Sequence, residues 1–458
     1  MTISNSGRGR GDRRGRSLAT AALLAVAACS TTELLEVNTP DIITTDKVTS
    51  AAGAQAQRVA AIGLFNNFVN AGVNLVLTSA ILSDEAFVAR NGTEHLDRRS
   101  LNNTQFPATS PWSPFGSALN GSVRAVRGLN AYPPTPASAK ATQVGQLYVL
   151  QGLIYVMMAE TYCNGVPVSK FTDENPSTTV LSTAQLYARS LAAFDSALGI
   201  LSTSAADQPF RNAARVGKGR MYVDINQYDR AAAVVAAGGD GAGSLAVPTS
   251  FVLNAEYALS TTRNGVFDWM SDTKNFGAAD REGGNGLDFV SSKDPRVRVD
   301  GTRLGAGQDG TLTPLFSQYP AGNSPTPVAT GIEARMIEAE NFLKLGDNAN
   351  FLATLNAART TVTGLAPLVD PGTAVARVDM LFRERAFWMY FTAHRLGDLR
   401  RLVRQYGRAA NSVFPTGAYF KGGVYGSDVV LVPSQTETNN PEWPAPAGRT
   451  EACTDRNP

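Results

Sequence analysis

Residues 143–162 read QVGQLYVLQGLIYVMMAETY, and their reading decides the fold. Leu147, Leu150, Ile154 and Met158 form one helical stripe, with Tyr148, Gly152, Tyr155, Ala159 and Tyr162 beside it. A helix so apolar around its circumference has to be buried on most sides. Gly152 and Ala159, seven residues apart, permit another helix to approach closely, and the tyrosines are read as packing. The helical pattern continues on both sides. Residues 182–201, STAQLYARSLAAFDSALGIL, open on Ser182 or Thr183 as an N-cap and run through Leu186, Leu191, Phe194, Leu198 and Leu201. Residues 213–238 and 332–360 each read as helix, turn, helix, turning near Asn226 and at Gly346-Asp347. Upstream, residues 51–82 carry Val59, Ile62, Phe65 and Phe68 at spacings of three.

Small and aromatic residues around tight turns resemble the tetratricopeptide helix pair, in which small side chains let antiparallel helices nest. The repeats are degenerate and interrupted, so a regular solenoid is not expected. The interruptions lie near 84–116, 244–330 and 411–450, rich in Gly, Pro, Ser, Asn and Thr. Loops this long inside a packed domain are usually functional. The expectation is a mainly α fold, a tetratricopeptide-like scaffold carrying long irregular insertions that bind ligand.

The N-terminus has a different grammar. Arg8, Arg10, Arg13, Arg14 and Arg16 precede an apolar run, Leu18 to Ala28, and then Cys29. This is the layout of a signal peptide, and the run is too short to span a bilayer. Val26-Ala27-Ala28 before Cys29 resembles a bacterial lipobox, in which the thiol is acylated after cleavage. The expected organisation is a signal peptide over 1–28, a lipidated tether over 29–45 and a binding body over 46–458. Removing the leader takes five arginines and one aspartate, so the formal charge passes from +2 to −2. The remaining chain has no basic excess for nucleic acid, and no other run looks able to span a membrane. Acyl chains on Cys29 are the expected attachment. Cys163 and Cys453 remain, either bridged or single.

Several phrases, in order, resemble the SusD/RagB family of outer-membrane nutrient-capture lipoproteins. They are LLEVNTPDIIT after the cysteine, PWSPFGSALNGSVRAVRGLN, the long tyrosine-bearing helix running into CNGVPVS, and SSKDPRVRV. They continue with ARMIEAENFLKLGDNANFLATLNAAR, MLFRERAFWMYFTAHRLGDLRRL and LVPSQTETNNPE. The likeness spreads from Cys29 to about Pro441. Two departures stand out: Cys163 replaces the small residue usual before the turn, and the chain is short for the family. The resemblance implies a SusD-like scaffold, an oligosaccharide or other nutrient ligand, no cofactor, and a SusC-like TonB-dependent β-barrel transporter as partner. It implies a lipid-anchored position on the outer membrane, exposed at the surface.

A glycan site needs flat aromatic faces for apolar sugar faces, flanked by amides, carboxylates and arginine for hydroxyls. The first insertion offers Asp84, Asn91, His95 and Asn102; the second offers Arg263, Asn264, Trp269, Asn275 and Phe276. Asn91-Gly92-Thr93 also reads as a plain turn, and Trp112 and Trp388, on expected helices, read as core. Arg383, Glu384, Arg385, Arg395 and Asp398 read as structural ion pairs, with Asp398 in reach of Arg395 and Arg401. Enzyme chemistry has little to stand on. The two histidines, His95 and His394, are far apart, and HExxH, GxSxG and a complete P-loop are all missing. Three functions from different classes remain: nutrient binding for a barrel transporter, a tetratricopeptide-like scaffold that binds a protein or peptide, and, with least support, a glycoside-processing enzyme using a carboxylate pair.

Overall fold

The computed structural model describes residues 48–101, 104–106, 109–170, 177–241 and 244–438. The signal peptide, the tether, Cys29, Asn102 and Cys453 therefore lie outside the described residues. The first helices are α1 (Ala51–Asn70), α2 (Leu75–Leu82), α3 (Glu94–Asp97), α4 (Trp112–Ala131) and α5 (Ala139–Thr161). The central pairs follow as α6 (Thr183–Ile200), α7 (Gln208–Asp224), α8 (Tyr228–Val235), α9 (Gly331–Leu345) and α10 (Asn348–Arg359). The chain closes with α11 (Ala374–Trp388), α12 (Arg395–Tyr406) and two single turns, α13 (Ala410–Val413) and α14 (Gln435–Thr438). Consecutive helices pack pairwise: α5 on α6, α6 on α7, α7 on α8, α8 on α9 and α9 on α10, with α1 against α4.

The pairing follows from the residues. In α5, every residue from Val149 to Thr161 is buried, as its all-round apolarity requires. Gly152 does more than permit approach. A Cβ there would lie 2.5 Å from the Phe194 ring of α6, and one on Gly217 of α7 would lie 2.3 Å from the same ring. Phe194 thus fills a slot that two glycines open between three helices. Ser182 and Gln185 form a complete capping box at the start of α6. Asn226 (φ 62°) and Gly346 (φ 73°) turn the chain between helices in the left-handed region. Trp112 is core, with Phe115 and Tyr162 at 5.5 and 5.3 Å.

The run 51–82 differs from its sequence reading. By length and apolarity it could cross a membrane, contrary to the expectation that nothing after the leader could. It is instead two helices broken at 71–74, and all of α2 is buried in the core. A Cβ on Gly265 would sit 1.9 Å from the Gly72 carbonyl oxygen, so backbone crosses backbone at the break.

Three two-stranded antiparallel ladders order the first two insertions, and a fourth follows α5. β1 (Ala86–Val88) pairs with β5 (Phe276–Ala278), and β2 (Val166–Lys170) with β3 (Ser177–Leu181). β4 (Val252–Ala255) pairs with β8 (Thr326–Thr330), and β6 (Val299–Ala306) with β7 (Leu312–Phe316). Cys163 is buried and disulfide-bonded, and its partner lies outside the described residues.

Buried ion pairs lock α12 into this frame. Asp398 takes Arg385 at 2.9 Å and Arg401 at 3.2 Å. Arg401 also binds Glu340 of α9, and Arg220 of α7 binds Glu160 of α5. Arg395 does not turn to Asp398, as its spacing allowed, but to Asp84, 311 positions earlier in the chain. Glu384 holds Arg296 at 2.7 Å and Arg359 at 2.6 Å. Removing one partner of such a pair costs about 3–5 kcal/mol, because the other charge stays buried.

Candidate functional site

All three insertions meet at one cleft. The β1–β5 ladder sets Phe87 opposite Gly277, and a Cβ on Gly277 would lie 2.3 Å from the Phe87 ring. The glycine therefore lets that ring lie across the ladder. Phe420, from the third insertion and half exposed, meets Phe87 edge to face at 5.6 Å and 80°. Leu304, Leu312, Tyr425 and the segment Asp280–Gly284 complete a cleft of about 660 Å³, within the ~300–1,000 Å³ range of small-molecule sites.

The wall bearing Phe420 is a glycine-rich turn over 416–425. Tyr419 N–H donates to the Gly423 carbonyl and Tyr425 N–H to that of Gly417. Gly417, Gly422 and Gly423 take the positive φ values that side chains resist. The turn is pinned from below: the Tyr419 hydroxyl donates to Asp97 at 2.9 Å, the Tyr425 hydroxyl to Glu282, and Lys421 pairs with Asp309. Burial pushes the Glu282 carboxyl up to about 6, against the Tyr425 hydroxyl. Burial likewise raises Asp97 well above the ordinary aspartate value, with the nearby Glu282 charge adding to it.

An aromatic shelf is tied to the other strand of the same ladder. Trp269 sits on a π-helical turn, Phe267–Asp272, of the kind often found at functional sites. Its ring lies 5.7 Å from Phe276 and 6.3 Å from the exposed Phe106. The Arg90 guanidinium lies 5.6 Å from the Phe106 ring centre and 5.4 Å from that of Trp269. On the far side of the 416–425 turn, a depression of about 380 Å³ is lined by Glu94, His95, Arg98, Gln105 and Lys421. Burial lowers the His95 pKa, against the pull of Glu94.

The residues singled out in the sequence divide accordingly. Trp269 and its support Phe276 form the shelf, and His95 lines the depression. Asn275 is half-buried at the end of β5, its amide on Thr273. Asn91 is exposed in its turn, and Arg263 pairs with Asp268 at 2.7 Å. Two are corrected. Asp84 is fully buried, holds Arg395 at 2.6 and 2.8 Å and accepts the Leu287 N–H. Asn264 is fully buried and bonded to Asn70, Ser324 and the Phe267 N–H. Both carry structure, since neither offers a free polar atom to a ligand. Trp388 is only half-buried: it lines a separate cavity of about 410 Å³, with Arg296 stacked 5.0 Å from its ring.

Phe87, Arg90, Phe106, Arg281, Phe420 and Tyr425 were not singled out. The signal for two of them was present in GAYFKGGVYG, residues 417–426, where aromatics are set among glycines.

A helix-pair scaffold thus presents an aromatic cleft built from its insertions. The fold itself is that of the SusD superfamily. A SusD superfamily protein from Parabacteroides distasonis superposes with a TM-score of 0.64 at 12% identity, over 89% of this chain and 100% of that one. One from Bacteroides fragilis gives 0.61 at 15% identity, over 82% and 93%. A laminarin-binding SusD-like protein gives 0.54 at 15% identity, over 79% and 93%. No protein-family model and no curated protein sequence matches the chain. At these identities the likeness is one of fold.

Proposed function

We propose that the protein is a lipid-anchored outer-membrane binder that captures oligosaccharide and passes it to a TonB-dependent β-barrel transporter. The observation that carries the binding half is the meeting of three sequence-distant insertions at one aromatic cleft. Phe87 and Phe420 offer ring faces and edges to sugar carbons, and Trp269 and Phe106 do the same on the shelf. The fold is shared with a protein that binds laminarin. The anchor and the transporter rest on the Cys29 lipobox and on the family resemblance. A tethered binder at a barrel mouth acts by raising local ligand concentration rather than by tight affinity. The peptide-scaffold alternative has less support, because the aromatic cleft is walled by the insertions and not by the helix pairs.

Calorimetric titration with an oligosaccharide panel tests the binding half. Binding that Phe420→Ala weakens by about tenfold or more, the order expected of a stacked aromatic anchor, supports the reading. Unchanged binding in that variant removes the cleft from it. Affinity purification of the intact lipoprotein tests the delivery half: co-purification of a large outer-membrane barrel is expected, and its absence counts against it. Cys29→Ala is expected to abolish palmitate labelling.

A further inference from the structure

Two guanidiniums on the loop face lack a close acid partner. Arg90, over the rings of Phe106 and Trp269, has a buried Nε with no hydrogen-bond partner, and no carboxylate among the described residues pairs with it. Arg281 stands at the cleft rim with its side chain 67% exposed. Its nearest acid, Asp288, is 3.9 Å away and already holds Arg383 at 2.6 Å. The two acids that line the cleft have internal partners, although Asp280 is itself exposed. Asp280 accepts the N–H groups of Val290 and Ser291, and Glu282 takes the Tyr425 hydroxyl. Arg281 and Arg90 are the two guanidiniums left to meet an anionic group.

The backbone at Arg281 is an independent observation. Arg281 lies at φ 56°, ψ 42°, and Gly283 and Gly284 also have positive φ. Glycine would take this conformation without strain, so a guanidinium is held at the rim against a local cost.

We infer that the ligand is an anionic oligosaccharide, bearing carboxylate or sulfate groups, read by Arg281 at the cleft rim and Arg90 on the aromatic shelf. This rests on the glycan-binding reading above and adds the charge class. Charge-assisted bonds to guanidinium are stronger than those to neutral hydroxyls and weaken with salt when exposed.

The test is calorimetric titration of the mature protein with three probes: oligogalacturonides, a heparin-derived tetrasaccharide and laminarihexaose. One or both charged probes bind, and which one does separates carboxylate from sulfate recognition. Charged-probe affinity falls about tenfold between roughly 0.05 and 0.5 M salt. Arg281→Gln, at an exposed site, weakens it about fivefold or more, in line with the loss of one charge-assisted bond. Arg90→Gln acts in the same direction. Laminarihexaose binds about tenfold more weakly, with little response to salt. Laminarihexaose binding as tightly as both charged probes, or charged-probe affinity unchanged in both variants, overturns the anionic assignment and leaves the glycan reading standing. Failure of all three probes to bind a natively folded protein overturns both.

Discussion

Arg281 pays for its position with a left-handed backbone, and that makes its role separable from stability. An L-residue in this region costs on the order of 1–2 kcal/mol relative to glycine. Arg281→Gly is therefore expected to raise the urea midpoint while weakening charged-ligand binding. Arg281→Ala keeps the strain, loses the binding and gains no stability; an Ala variant at least as stable as the Gly variant contradicts the account. Asp84 gives the opposite case. Asp84→Ala leaves Arg395 buried without its partner and should cost about 3–5 kcal/mol in denaturant unfolding. A loss under about 1 kcal/mol, the scale of an exposed pair, would place the pair outside the folding core. The sequence marked Asp84 as a loop carboxylate because Arg395 is 311 positions away, and nothing local announces such a partner. Trp269 stood out as an aromatic on a polar, glycine-rich insertion, and the structure packs it against buried Phe276 at the edge of the core.

At the level of elements, the cleft depends on the β1–β5 ladder and the 416–425 turn. Gly277→Val keeps strand propensity but places side-chain atoms where the Phe87 ring lies. The expected outcome is displacement of Phe87 from Phe420, with oligosaccharide binding lost and the far-ultraviolet circular dichroism unchanged. Binding at full affinity in that variant would mean that Phe87 is not part of the site. The helix pairs were readable from apolar spacing, caps and the turns at Asn226 and Gly346, since these signals act within a few residues. The loop ladders were not. Three residues of β1 find their partner in β5 about 190 positions later, through an insertion whose composition reads only as irregular. The insertion boundaries were visible, but their meeting point depends on the scaffold that brings them together.

Across the whole molecule, the buried charges set a pH dependence of stability. Burial holds the Glu85 carboxyl up at about 8, against the Phe391 N–H that it accepts, and holds Glu282 up at about 6. A carboxyl raised on folding contributes stability fully below its unfolded value and loses it as pH rises through the folded value. Asp398 is opposite: burial pushes it up, but Arg385 and Arg401 outweigh that and hold it below the ordinary aspartate value. Its contribution is lost only as pH falls through that low range. Thermal stability should therefore decline from about pH 5 to pH 8, by up to about 1.4 kcal/mol per pH unit for each raised group. Glu85→Gln should flatten that decline; a melting temperature that rises steadily from pH 5 to pH 8 contradicts the assignment. The mainly α scaffold was legible in one all-round apolar helix and its neighbours, whereas the charged network binding α12 to Asp84, α9 and α11 emerges only once the helices are packed. If three separate insertions make one oligosaccharide site, hydrogen–deuterium exchange with and without bound oligosaccharide reads it out. Protection is expected in 86–90, 276–284 and 416–425 together, with the helix pairs unchanged. Protection confined to the helix pairs, or to the cavity beside Trp388, would contradict it.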